Sequence, residues 1–307
     1  MAERLEPKIE KEFRTTVQYL AQSLSPEPGA IPQITNIDIY GISIPINGIA
    51  GGDLITYLNF QDRYDLNARI ARAQARGQES MAQILQRLKK KCGVMVADVA
   101  GHEFTDSIRA LLLHQLFHAA ALYEMDLNGE ITTRLFEQIN ARFFKSQTLR
   151  KLAADPDFTS FITLVYGEIS HTGRFRFISA GHPAPLIFSC EYDRFVEISQ
   201  DRLVSYPPIG LQLTEGHPDA GLYKRGLGYK KRYTINDLNL MGKGDILLLY
   251  TDGLTDMFSA YTQERLQKSV SAAKNGTAKE ICETIIADRQ TVEEREDDLS
   301  LVVIKYG

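Results

Sequence analysis

Val-Met-Val-Ala-Asp-Val-Ala-Gly-His, residues 94–102, is the stretch of sequence that decides the fold. A short run of apolar and β-branched residues that ends at a glycine predicts a buried strand. Asp98 lies at the C-terminal end of this run, and a lone carboxylate cannot be buried unpaired without a cost of several kcal/mol. The sequence therefore predicts that another group compensates the charge of Asp98.

Acidic residues adjoin apolar segments in three further places: Gly51-Gly52-Asp53, Asp252 after 247–251, and Asp297-Asp298 before 299–304. Carboxylates this far apart in sequence, each next to a predicted strand, predict one shared metal site. The motifs place neither His nor Cys at these positions, and all-oxygen ligands favour Mg²⁺ or Mn²⁺ over zinc. Two such ions can activate a water for in-line attack on phosphorus, so phosphate ester hydrolysis is the predicted reaction class.

Composition and charge exclude several other classes of protein. The 307-residue chain has a formal net charge of −4, which gives no support for nucleic-acid binding. No apolar stretch approaches the roughly 20 residues that span a bilayer, and the charged residues 1–12 do not resemble a secretory signal. The three cysteines, Cys92, Cys190 and Cys282, form no pairing framework. We therefore expect a cytoplasmic protein.

Two segments outside the core of the chain are predicted to be helical. Apolar residues recur at spacings of three and four over residues 3–24, before a Pro-rich break at 25–29. This predicts an N-terminal helix unit, residues 1–28, which either packs on the following domain or forms a dimer or partner seam. The domain itself is predicted over 29–307, with a helical insertion at 61–92 in which Gly77 marks a division or bend.

The order of the predicted elements indicates the fold class. Helices are expected over 105–123 and 130–144, and strands joined by turns follow at 161–169, 174–179, 186–189 and 194–198. Strands that pair through hairpins, with helices grouped rather than interleaved, favour an antiparallel α+β layered domain over a doubly wound parallel sheet.

Six motifs occur along the chain in a recognisable order. They are Gly51-Gly52-Asp53, Ala97-Asp98-Val99-Ala100-Gly101-His102, Ser179-Ala180-Gly181-His182-Pro183-Ala184-Pro185, Pro208-Ile209-Gly210-Leu211, Tyr250-Thr251-Asp252-Gly253-Leu254-Thr255-Asp256 and Asp297-Asp298-Leu299-Ser300. Together they resemble the metal-dependent protein phosphatases (protein phosphatase 2C-like), and most closely the bacterial sporulation stage II protein E (SpoIIE) type, over about residues 10–307. That resemblance implies an α-β-β-α sandwich of two antiparallel sheets flanked by helices.

The resemblance also implies a set of metal ligands. Asp98 would bridge two Mn²⁺ or Mg²⁺ ions, with Asp252 and Asp297 completing the first site. Asp53 and the main-chain carbonyl of Val99 would complete the second site. Asp98 and Asp252 would then act in catalysis through metal-bound water.

Further positions of the motifs have weaker implied roles. Asp256 resembles a ligand of a third, weaker ion, and Asp298 is expected behind the ligand Asp297. Gly101 and Gly253 resemble turn residues that let the backbone approach the metals.

The implied function is that of a serine/threonine phosphatase that works without a phosphoenzyme. Its expected substrate is a phosphorylated anti-sigma-factor antagonist, a STAS-like domain, and a sensor protein or a second copy could act through the N-terminal helix. Two alternatives stay open: a catalytically weak scaffold that binds a signalling partner, and a small-molecule phosphoesterase. Glu103 motivates the scaffold, because the family usually has glycine there.

Other polar residues give weaker predictions. Arg109 is a candidate phosphate clamp by proximity alone, and His102 is either a general acid or a turn residue. His114 and His118 share a helix face and could chelate a metal, although structural histidines are the favoured interpretation. Ser179 is not predicted to be a nucleophile, because its motif does not resemble a nucleophile elbow.

Overall fold

The computed structural model of the chain describes residues 31–46, 50–101, 104–146, 161–199, 202–222, 228–239, 242–255, 261–292 and 297–307. Four further residues, Glu12, Thr15, Thr16 and Tyr19, are described as helical and exposed. The remainder of the predicted helix 3–24 lies outside the described residues. So do His102, Glu103 and Asp256.

Two five-stranded sheets form the centre of the domain. The first has the strand order β1-β10-β9-β6-β7 and the second has the order β2-β3-β4-β5-β8, and every pairing between these strands is antiparallel. The strands are β1 Ile37–Ile44, β2 Leu54–Asn59, β3 Lys91–Val99, β4 Ile162–Ser170, β5 Arg174–Ala180, β6 Leu186–Ser189, β7 Arg194–Phe195, β8 Asn236–Asn239, β9 Ile246–Tyr250 and β10 Leu299–Tyr306.

Helices cover the outer faces of both sheets. Within the described part of the chain, none of them is long and apolar enough to cross a bilayer. The helices are α1 Phe60–Arg63, α2 Leu66–Ala75, α3 Glu79–Leu88, α4 Phe104–Leu127, α5 Thr133–Lys145, α6 Gln263–Ala273 and α7 Ala278–Gln290, with a 3₁₀ turn at Ala220–Leu222.

The alternation of side chains along the strands produces three apolar layers. In β3, Met95 and Ala97 point to a layer shared with α4 and α5, whereas Val94 and Val96 point to the layer between the two sheets. The third layer lies between the first sheet and the helices α6 and α7. Because each sheet is buried on both faces, the central strands read as nearly continuous apolar runs. The layered α-β-β-α sandwich is thereby confirmed.

Some predicted elements differ from the observed ones. The strand predicted at 194–198 is only two residues long, and the strand β8 and the helix α6 were not predicted. Helix α6 buries just two large apolar side chains, Leu266 and Val270, so its sequence carries little periodic signal. Gly77 has a φ of +69° and separates α2 from α3, which confirms the predicted division.

The layer beneath α4 is expected to dominate the stability of the domain. Phe117 is fully buried there, with its ring centroid 5.4 Å from Tyr166 and 6.4 Å from Phe136. We expect Phe117→Ala to lower the free energy of unfolding by about 3–5 kcal/mol, because the cavity cannot be filled by rigid neighbours. Urea unfolding measures this value. Leu112→Ala, on the exposed face of the same helix, is the control, and equal losses for the two variants would contradict the layer assignment.

Candidate metal centre

Asp53 and Asp98 lie opposite each other on neighbouring strands. Strands β2 and β3 pair with Leu54 opposite Ala97, and the register continues beyond β2 because Val99 N–H donates to the Gly52 carbonyl at 3.3 Å. Asp53 and Asp98 therefore form a non-hydrogen-bonded pair of the antiparallel ladder. In such pairs the Cα atoms are about 4.5 Å apart and the side chains are closer than in hydrogen-bonded pairs. Two residues separated by 45 positions are brought together by strand pairing alone.

Both carboxylates belong to the side of the sheet that faces the second sheet. Residues with the same alternation, Ile55 and Tyr57 in β2 and Val96 in β3, lie in the layer between the sheets. Since Asp53 and Asp98 come at the end of that layer, they lie at the edge of the cleft between the two sheets. Asp53 is buried and Asp98 is partly exposed.

Thr251 joins this pair to the other sheet. It follows β9, is 1 % exposed, and its hydroxyl donates to Asp53 Oδ2 at 2.7 Å. The same hydroxyl accepts a hydrogen bond from Ser300 N–H at 2.8 Å. Thr251 thereby fixes the orientation of the Asp53 carboxylate, and it places its neighbour Asp252, which is exposed, at the same edge of the sandwich.

Asp298 anchors the loop that carries the Gly51-Gly52-Asp53 motif. Its two oxygens accept hydrogen bonds from Ile46 N–H at 2.8 Å and Gly52 N–H at 2.6 Å, and the side chain is buried. A Cβ at position 51 would overlap the Asp298 carboxylate, so only glycine fits. Because both Asp298 oxygens hold main-chain groups, the arrangement favours the partly exposed Asp297 as the ligand.

The carboxylates act on each other electrostatically. Burial is the main cause that raises the pKa of Asp98 to about 8. The negative charge of Asp252, followed by those of Asp297 and Asp298, also raises this pKa. Burial also raises the pKa of Asp53, and the charge of Asp98 raises it further. Both groups are thus held where their negative charges are disfavoured without a counterion. A bound cation would supply the missing positive charge.

The donor set fits a hard divalent cation that keeps part of its water shell. Within the described part of the chain, no three acidic, His or Cys side chains already form a complete ligand group. Magnesium is usually bound through one or two carboxylates together with several waters, so a partial protein ligand set at a carboxylate-rich edge fits it. Zinc, which prefers four nitrogen and sulfur ligands, fits this site poorly.

Glycines bring the main chain of the two motifs close together. A Cβ on Gly52 would lie 2.8 Å from the Val99 carbonyl oxygen, the predicted main-chain ligand. Gly101 has a φ of +113°, which other residues rarely adopt. Gly253 permits another close approach, because a Cβ there would overlap the Asp298 carbonyl oxygen. The expected roles of Gly101 and Gly253 as turn residues agree with this geometry.

The hypothesis that Arg109 clamps phosphate is wrong. Arg109 is 3 % exposed, and its guanidinium forms a buried ion pair with Asp106 at 2.5 Å. It therefore holds Asp106 near the Gly101 turn rather than facing an incoming phosphate. Sequence reasoning missed both Asp106, whose charge contributes to the raised pKa of Asp98, and Thr251. Thr251 directly precedes a predicted ligand, but no local pattern links its hydroxyl to Asp53.

The other polar residues singled out in the sequence have structural surroundings. Ser179 is buried, with its hydroxyl 3.2 Å from that of Ser205, in agreement with the absence of a nucleophile elbow. The ring nitrogens of His114 and His118 are 3.1 Å apart, and burial lowers the pKa of His118 to about 3. Because no third ligand joins them among the described residues, the structural interpretation of this pair is favoured.

A family model places the chain among known proteins. Residues 88–307 match the model described as Stage II sporulation protein E (SpoIIE). The chain belongs to the SpoIIE family. No match to the sequence was found among curated proteins.

Solved structures share the SpoIIE-family fold at low sequence identity. The SiaA-PP2C domain of Pseudomonas aeruginosa aligns with a TM-score of 0.60 and 12% identity, covering 99% of each chain. The RsbU and RsbW domains of a Mycobacterium tuberculosis protein align with a TM-score of 0.58 and 17% identity, over 89% of this chain and 62% of that one. The phosphatase domain with a regulatory fragment of Bacillus subtilis SpoIIE aligns with a TM-score of 0.58 and 13% identity, over 89% of this chain and 64% of that one. The chain thus spans less than two thirds of the last two proteins.

Thr251 offers a test of the site that is independent of the ligands themselves. We expect Thr251→Val to weaken Mn²⁺ affinity by about 10- to 100-fold, because Asp53 loses its orienting donor. It should also cost about 1–3 kcal/mol of stability, since Ser300 N–H is left buried without its acceptor. Isothermal titration with Mn²⁺ and urea unfolding measure the two effects. Thr251→Ser keeps the hydroxyl and is the control; if Ser and Val variants behave alike, the hydroxyl has no such role.

Proposed function

We propose that this SpoIIE-family protein hydrolyses phosphoserine or phosphothreonine on a signalling protein at the edge of its inter-sheet cleft. The observation that carries the proposal is the opposed pair Asp53 and Asp98, with Asp252 and Asp297 close enough to raise the pKa of Asp98. Bound Mn²⁺ or Mg²⁺ ions would supply an activated water and neutralise charge on the phosphate.

The residues of the chain have separate roles in this proposal. Asp98 would contribute to holding both ions, Asp252 and Asp297 would hold one of them, and Asp53 with the Val99 carbonyl would hold the other. Thr251 orients Asp53 through its hydroxyl. A third ion at Asp256 stays a prediction, because that residue lies outside the described part of the chain.

The substrate is proposed to be a phosphorylated anti-sigma-factor antagonist with a STAS-like domain. Its support is the family membership and the similarity in fold to a protein that carries RsbU and RsbW domains. Two points stay predictions from the sequence. One is that a sensor protein or a second copy acts through the N-terminal unit 1–28, and the other is a cytoplasmic location. The scaffold alternative is not favoured, because the carboxylates of the motifs converge on one edge.

The test compares substrates and metals directly. The purified protein is titrated with Mn²⁺ and assayed on a phosphoserine-containing STAS domain, on a nucleoside triphosphate and on a generic aryl phosphate. We expect phosphate release from the phosphoprotein to depend on metal and to exceed nucleotide turnover. Faster nucleotide turnover would instead support the small-molecule phosphoesterase. Binding of the STAS domain without any turnover in Mn²⁺ or Mg²⁺ would support the scaffold and contradict the proposal.

A further inference from the structure

The predicted insertion forms one wall of a groove on the outer surface of the molecule. Helices α2 and α3 face the C-terminal end of α4 across a cavity of about 670 Å³. The groove is separate from the metal centre, because 16 residues of α4, or about 24 Å of helix, separate Asp106 from Leu122. A molecule bound in this groove would leave the edge of the inter-sheet cleft open.

The rim of the groove is basic although the chain as a whole is acidic. Arg69, Arg72 and Arg76 follow one another at spacings of three and four along α2 and its C-cap, and Arg63 adds a fourth guanidinium. Arg69 is already engaged, because it forms an ion pair with Asp126 at 2.6 Å. No salt bridge within the described part of the chain joins Arg72 or Arg76 to a carboxylate, and both side chains are exposed. A stripe of guanidinium groups is therefore available to a partner.

The floor of the groove is apolar and partly uncovered. Leu122 and Leu127 of α4 line it with 48 % and 46 % of their surfaces exposed, while Met125 between them is buried. Tyr123, which follows Leu122 in α4, is 55 % exposed. Large apolar side chains exposed together next to a charged rim are typical of interaction sites rather than of ordinary surface.

We propose that this groove, lined by Arg63, Arg69, Arg72, Arg76, Leu122 and Leu127, binds an acidic amphipathic helix of a protein partner. A helix with carboxylates spaced three and four residues apart matches the arginine spacing on α2, and its apolar face covers the leucines. Nucleic acid fits less well. The ring of Tyr64, the aromatic side chain among the lining residues, is buried and already covered by the guanidinium of Arg69, 5.3 Å from its centroid, so it is not available to stack on a base.

A synthetic peptide tests the proposal on the full chain. The probe is a fluorescein-labelled helical peptide of about 18 residues with Glu at positions i, i+3 and i+7 and Leu on the adjoining face. We expect the Arg72→Glu/Arg76→Glu variant to weaken its binding by at least about 10-fold in fluorescence anisotropy, whereas Lys231→Glu/Arg232→Glu, an exposed basic pair elsewhere, changes it by less than about 2-fold. Leu122→Ser should also weaken binding, which separates helix docking from charge attraction alone.

Other results would overturn the proposal. One is that the acidic peptide does not bind at about 1 mM. Another is that a matched peptide with Lys in place of Glu binds equally well. The third is that replacing Arg72 and Arg76 leaves the affinity for the peptide unchanged. A single-stranded oligonucleotide that binds more tightly than the peptide, with the same dependence on these arginines, would assign the groove to nucleic acid instead. Unchanged hydrolysis of an aryl phosphate by the arginine variant would show that its fold and metal centre are intact.

Discussion

Asp98→Asn is expected to reduce metal-dependent phosphatase activity by about 10³-fold or more. Asp98 faces Asp53 across the β2–β3 pair, and its pKa responds to both Asp252 and Asp297. Asparagine has nearly the same shape but carries no charge and offers one oxygen instead of two. Initial rates on a phosphoprotein at saturating Mn²⁺ measure the loss.

Stability distinguishes a lost ligand from a damaged fold in this experiment. In the presence of a chelator, Asp98→Asn should be at least as stable as the parent protein, because one of several crowded negative charges is gone. The increase in melting temperature on adding Mn²⁺ should shrink or vanish in the variant. Asp237→Asn, at an exposed carboxylate on β8, is the matched control and should keep full activity. Full activity of Asp98→Asn would refute the proposed centre.

Gly253→Ala is expected to cost about 10²-fold or more in activity, with a marked loss of stability. The added Cβ would overlap the main-chain carbonyl oxygen of Asp298, so these two backbone segments would have to move apart. Thr251 and Asp252 precede this glycine, and Asp297 precedes Asp298. The strain therefore displaces ligands from both sides of the proposed site. Activity assays, circular dichroism and urea unfolding of the same preparation report the effects.

Gly221→Ala is the matched control for this substitution. Gly221 lies in the 3₁₀ turn Ala220–Leu222, and a Cβ there meets nothing within 4 Å. We expect its stability to change by no more than about 0.5 kcal/mol, with activity intact. If Gly253→Ala were as harmless as Gly221→Ala, the close approach of the two strand ends would not be required for function.

The strands and helices with strong patterns could be predicted from the sequence. Among the predicted strands, 186–189 has the same bounds in the structure and 174–179 is extended by one residue. Helix α6 and the four-residue strand β8 were missed for different reasons. Helix α6 has few apolar residues, and β8 is held mainly by pairing with β5, a long-range interaction without a local signal.

The candidate site was only partly predictable. The carboxylates could be singled out because each adjoins an apolar run where an unpaired charge is costly. Two other features could not be predicted. The role of the Thr251 hydroxyl depends on Asp53, which lies 198 residues away in the sequence. The role of the Asp106–Arg109 pair depends on how deeply the pair is buried. The same burial removed Arg109 from the phosphate-binding candidates.

The sequence by itself determined the layered α+β class and the residue types of a site for hard divalent cations, because periodicity and charge are properties of local sequence. Only the tertiary structure decided which carboxylates meet and which serve the fold. Strand register sets Asp53 against Asp98, and the main-chain N–H groups of another loop engage both oxygens of Asp298. The packing of α2 and α3 beside α4 likewise created a basic groove that no segment contains alone. Such contacts join residues distant in sequence, and short-range patterns carry no information about them.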